Sequence, residues 1–120
     1  MLVFLGQVGN DALGLYLKNR LKENSVNIDN IIEKGNTTLA FVTLDSEGER
    51  DFHFVRGGDK EYYIDINKLK IEENSIIHFG SATAFLCWDL KESYINLFNY
   101  AKENNIYTSF DPNFGCGISN

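Results

Sequence analysis

Cysteine and proline are nearly missing from this 120-residue sequence: it has two of the first and one of the second. Cys87 and Cys116 stand alone, with neither the close spacing of a metal knuckle nor the density of a disulfide framework. Two scattered thiols suit a reduced compartment, so the sequence reads as cytoplasmic. Basic residues are also scarce, 11 Lys and Arg against 17 Asp and Glu, which leaves a net charge of −6 and a pI near 4.8. No positive field exists to draw in nucleic acid or an anionic membrane surface, and any phosphate would have to be held locally. Long apolar runs are missing too. Met1–Leu5 is apolar but lacks a basic flank and stops at Gly6, so it is neither a signal peptide nor a membrane span and reads as a buried strand.

What is present is core material. At 43% hydrophobic and 13% aromatic, the sequence is too apolar to be disordered, and its length fits one small domain or part of a larger one. Leu2–Leu5 followed by Gly6-Gln7-Val8-Gly9-Asn10, with Leu13, Leu17 and Leu21 at helical spacing, predicts strand, loop, helix. Asn10 is the expected cap and Asn24-Ser25 the expected stop. Gly6, Gly9 and Gly14 do not have the G-x-G-x-x-G spacing of a dinucleotide-binding turn, and no ribose-binding acid ends a clear second strand. They read as glycines that allow a tight turn and close helix packing. Residues 27–35 read as a polar connection, and residues 60–74 as irregular with a short helical turn.

Residues 37–59, TTLAFVTLDSEGERDFHFVRGGD, predict a hairpin leaving through a sharp corner. Thr38, Ala40, Val42 and Leu44 fall on one face of the first strand, and Thr37, Leu39, Phe41 and Thr43 on the other. Asp45-Ser46-Glu47-Gly48 has turn chemistry. The returning strand puts Arg50, Phe52, Phe54 and Arg56 on one side, an aromatic row ended by a guanidinium. Arg56 can be read as a surface charge whose stem packs on Phe54. Gly57-Gly58 instead lets the backbone bend or approach a ligand, so that Arg56 and Asp59 can contact a polyol or carboxylate.

Ile76–Phe79, Asp89–Glu103 and Ile106–Phe110 predict a βαβ unit: a buried strand, an amphipathic helix with Leu90, Tyr94, Leu97, Phe98 and Ala101 on one face, and a second buried strand. Asp89 with Glu92 reads as an N-terminal capping pair and Asn104-Asn105 as the stop. Loops at the carboxyl ends of parallel strands are where α/β proteins place their sites. Asp111-Pro112-Asn113 is therefore a second candidate site, with a plain turn as the competing reading. His53 and His78 are lone strand histidines, and no metal motif is present. Trp88, Tyr94 and Phe98 read as core around the helix.

Taken in order, Gly6-Gln7-Val8-Gly9-Asn10-Asp11-Ala12-Leu13-Gly14, Thr37–Val42 with Asp45–Arg50, Phe54-Val55-Arg56, His78-Phe79-Gly80-Ser81 and Asp111-Pro112-Asn113 resemble the ribokinase/fructokinase-type carbohydrate kinases, the PfkB family. The resemblance covers nearly the whole chain, 1–120, and T-T-L-A-F-V looks most like the fructokinase branch. It implies an α/β, ribokinase-like fragment, with a parallel βαβ core over 76–113 and a β-hairpin lid over 37–59. Thr38, Ala40, Phe54 and Arg56 would face a small-molecule sugar, with Asp111 and Asn113 near the sugar and the transferred phosphate. The family uses ATP and Mg2+ to phosphorylate a sugar hydroxyl. Its Gly-Gly sugar-binding segment and its G-A-G-D catalytic sequence do not occur in these 120 residues. The resemblance therefore implies an internal fragment with no catalytic residue of its own, poor ATP and Mg2+ binding, no activity alone and self-association through exposed sheet edges. The alternative is a non-catalytic small α/β module that uses the Arg56–Asp59 corner to hold a ligand or a protein.

Overall fold

The computed structural model describes residues 1–80 and 88–112, without the side chains of Lys60 and Trp88. The chain divides into two compact units, Met1–Tyr62 and Tyr63–Asn120.

In the first unit, β1 (Leu2–Val3) and β2 (Gly6–Val8) precede helix α1 (Ala12–Glu23), and β3 (Val26–Asn27) and β4 (Ile31–Glu33) follow it. β1 pairs with β3 and β2 with β4, both in parallel, so α1 is a crossover. Residues 27–35 are thus not simply a polar connection. Strands of two and three residues are too short to show alternation, and their partners lie across α1.

The helix begins one residue later than expected. Asn10 spends its N–H on Gly35 O (2.9 Å), and Asp11, extended at φ −146°, is the cap, its carboxylate accepting from Gly14 N at 2.8 Å. Ser25, at φ 60°, ends the helix as expected, its N–H reaching Lys22 O at 3.0 Å. The opening apolar run is not a buried strand: Leu2 is 68% exposed, because β1 gains only the two-residue β3 as a partner among the described residues.

β5 (Leu39–Leu44) and β6 (Arg50–Val55) form the antiparallel hairpin, with Ala40 opposite Phe54, Val42 opposite Phe52 and Leu44 opposite Arg50. Asp45 organises the turn by accepting from the N–H groups of Glu47 and Glu49, and Gly48 takes φ +82°. Every residue of both strands is exposed. A 3-10 turn at Gly58–Lys60 follows, and a second at Ile66–Lys68 opens the other unit.

In the second unit β7 (Ile76–Gly80), α2 (Trp88–Glu103) and β8 (Tyr107–Asp111) make the predicted βαβ, the strands parallel with Gly80 beside Asp111. Leu90, Ser93, Leu97 and Ala101 form the buried stripe of α2, and Ser93 Oγ accepts from Ile64 N at 3.0 Å. Tyr94 and Phe98 meet the Phe79 ring edge-on at 5.3 and 6.4 Å, but Phe98 stays 48% exposed, at the margin of the stripe. Asp89 lies inside the first turn of α2, so it faces the helix dipole and is not the cap of a capping pair. Asn105, at φ 54°, closes the helix: Ile106 N reaches Ala101 O at 2.8 Å and Asn104 Nδ2 reaches Tyr100 O. Neither strand is the buried one expected. Only Phe79 is buried in β7, and all of β8 is exposed, since one helix covers one face of a two-stranded ladder.

Candidate functional site at the base of the hairpin

Two neighbouring threonines enter the hairpin, and each gives its hydroxyl to a different carboxylate. Thr37 Oγ1 donates to Asp11 Oδ1 at 2.6 Å, Thr37 N donates to Asp11 Oδ2 at 2.7 Å, and Gly9 N donates to Thr37 Oγ1 at 3.0 Å. Asp11 therefore caps α1 and ties β5 to it. Its pKa is lowered, chiefly by the Thr37 hydroxyl, then by the backbone of Thr37 and Gly14. The chain can come this close only because glycines line the path. A Cβ on Gly9 would lie 2.0 Å from Thr37 N, one on Gly14 1.9 Å from Gly9 O, and one on Gly57 2.0 Å from Asn36 O. Gly9 and Gly14 of the first motif thus serve close backbone approach, as expected.

Thr38 serves the other side. Its hydroxyl donates to Asp59 Oδ1 and accepts from Gly57 N at 2.9 Å and Asp59 N at 3.4 Å. Arg56 Nη1 donates to Asp59 Oδ2 at 2.5 Å, and the guanidinium carbon stands 4.2 Å from the centre of the Phe54 ring. Phe54 in turn stacks along Phe52, with centroids 6.0 Å apart. The aromatic row ended by a cation is therefore present as expected. Burial pulls the Asp59 pKa upward, but the Thr38 hydroxyl, Arg56 and the Gly57 N–H outweigh it and leave it lowered.

Thr38, Phe54 and Arg56 come together in this corner, and Ala40 lies opposite Phe54 in register. Asp111 belongs to the second unit, at the carboxyl end of β8 beside Gly80. Asn113 lies outside the described residues. His53 is exposed, and His78 Nδ1 meets Ser109 Oγ at 3.2 Å. Sequence reasoning assigned no role to Asp11. The D-x-x-G spacing to Gly14 was a usable sign of an N-cap, but nothing local points to Thr37, 26 residues away.

The model of the pfkB family carbohydrate kinases matches residues 2–115. The chain belongs to this family. The pfkB match leaves out only five residues at the end and one at the start. "Probable fructokinase-6, chloroplastic" of Arabidopsis thaliana is 38% identical over 115 residues, covering 92% of this chain and 30% of that protein. Fructokinase from Xylella fastidiosa with bound ATP superposes with a TM-score of 0.79 at 27% identity, over 98% of this chain and 38% of that one. A ribokinase-type structure from E. coli with ATP and Mg2+ superposes with a TM-score of 0.79 at 28% identity, over 94% and 37%. The chain thus spans about a third of the length of the relatives it matches. The α/β, ribokinase-like expectation holds, and the family match sets aside the reading of an unrelated binding module.

Among the described residues, no three of His, Cys, Asp or Glu converge where a cation would sit. A cleft of about 370 Å³ beside α2 is lined by Phe79, Tyr94, Ile95, Phe98 and Phe110, with Lys91 and Thr108 as its polar members. That lining does not fit a nucleoside triphosphate and its cation. Among the described residues no helix is long and apolar enough to cross a membrane.

Proposed function

We propose that this chain is the sugar-holding part of a fructokinase-type kinase, which transfers the γ-phosphoryl of ATP, with Mg2+, to a sugar hydroxyl. The single observation that carries the reading is the Thr38–Asp59–Arg56–Phe54 corner at the base of a family-matched hairpin. Phe54, 45% exposed, carries the Arg56 guanidinium over its ring, so the two side chains together form the surface a sugar would meet. Arg56 keeps further N–H donors for hydroxyl oxygens. For Asp111 and Asn113, which belong to the second unit, the family resemblance alone supports a sugar-binding role.

None of these residues is assigned as the general base, and the corner is not an anion hole. The 120 residues by themselves therefore hold sugar without turning it over. The two isolated thiols support a cytoplasmic setting.

The test is a titration of the isotope-labelled chain with D-fructose, paired with a coupled ADP-release assay containing ATP, Mg2+ and a sugar panel. Fructose should shift the signals of Ala40, Phe54 and Arg56, and Arg56→Ala should remove those shifts. The assay should read no sugar-dependent ADP. Shifts confined to residues outside the corner would sink the sugar-holding role, and turnover abolished by Asp111→Ala would sink the claim of inactivity.

A further inference from the structure

Resting on the sugar-holding reading above, we infer that Asp59 is a specificity-determining residue: by pairing with Arg56 it makes the corner select neutral polyols over sugars that carry a carboxylate. A guanidinium at the end of an aromatic row would, if unpaired, be an attractive seat for an acid group, since bidentate Arg–carboxylate pairs are among the stronger polar contacts. Here that seat is taken. Asp59 Oδ2 accepts from Arg56 Nη1, and the two side chains are only 17% and 24% exposed, so water screens the pair less than it would a surface pair.

Asp59 is itself held in place by the Thr38 hydroxyl on Oδ1 and by Gly57 N at 3.3 Å. The two charges cancel locally, and the chain's net charge of −6 adds no attraction for an anion. What remains on Arg56 is a set of N–H donors aimed by a fixed stem over Phe54. These suit hydroxyl oxygens, which need direction and not charge. Asp59 is a positioning residue in this scheme: it acts on the sugar through Arg56.

The experiment measures the dissociation constants of D-fructose and D-gluconate for the labelled chain at pH 7, in the unmodified protein and in Asp59→Asn and Asp59→Glu. The unmodified chain should bind fructose more tightly than gluconate. Asp59→Asn removes the negative charge that neutralises the guanidinium and should move the ratio of the two constants about tenfold toward gluconate, the scale of one charge-assisted hydrogen bond. Asp59→Glu keeps the charge and should keep the preference for fructose. A folded Asp59→Asn that weakens both ligands in parallel, or leaves the ratio unchanged, overturns the inference while the sugar-holding reading stands.

If Asp59→Asn loses the cross-strand contacts of the hairpin, the unmodified chain decides through its Arg56 side-chain nitrogen signals. A shift with fructose and not with gluconate supports the inference, and the reverse overturns it. Binding of neither ligand by any form overturns both the sugar-holding reading and the inference.

Discussion

Thr37 and Asp11, 26 residues apart, share two hydrogen bonds, from the Thr37 hydroxyl at 2.6 Å and from its backbone N–H at 2.7 Å. One carboxylate thereby closes three things at once: the first turn of α1, the entry to β5 and, through Gly9 N on the same hydroxyl, the loop after β2. The hairpin, exposed along its whole length, is anchored at this end.

Asp11→Ala should loosen the hairpin's base before it affects the second unit. Amide exchange at Gly14 and Thr37 should speed up by roughly tenfold or more, the size expected for a local opening made easier, while amides in α2 keep their protection. Equal acceleration in α2 would show that the clamp is not local.

Acid should act through the same carboxylates. The folded-state pKa values of Asp11 and Asp59 lie below the ordinary 3.8. Each group therefore contributes stability that is fully present above about 3.8 and is lost as pH falls through its lower folded value. Urea midpoints should be flat from pH 7 to about 5 and should then fall below pH 4. Asp11→Asn should shrink the drop. A midpoint that rises on acidification would contradict the assignment.

Gly57→Ala puts a methyl 2.0 Å from Asn36 O, where backbone has to move, and should cost about 1–3 kcal/mol. Gly48→Ala meets no atom within 4 Å, but it asks alanine to hold φ +82°, so it should cost about 1 kcal/mol. Chemical denaturation of the two variants should rank them in that order.

Both faces of the hairpin carry exposed apolar side chains, Phe41 and Val55 on one and Val42, Phe52 and Phe54 on the other. Burying such area is worth about 25 cal/mol per Å², and open strand edges invite pairing, so the chain should self-associate. Sedimentation equilibrium should find species heavier than 13.7 kDa, and Val42→Lys with Phe52→Lys should reduce them. A monomer with a concentration-independent melting transition would refute this.

Alternation over Leu39–Leu44 and Arg50–Val55, the D-S-E-G turn, the βαβ unit over residues 76–111 and the stops at Asn24-Ser25 and Asn104-Asn105 were all legible in the chain, because each depends on neighbours within a few residues. So was the row from Phe52 to Arg56, since side chains two apart on a strand share a face. Burial was not legible. Leu2, Ile76 and Phe110 are apolar enough for a core, yet they are exposed, because burial depends on what else packs against a strand. The short strands β3 and β4 and the tie from Asp11 to Thr37 were decided only in three dimensions. They join segments separated by a helix, and no local pattern encodes a partner 26 residues away. The pairing of Arg56 with Asp59 lies between: Gly57-Gly58 announces a corner, but only the folded corner, with Thr38 holding the carboxylate, turns a free cation into a neutral pair.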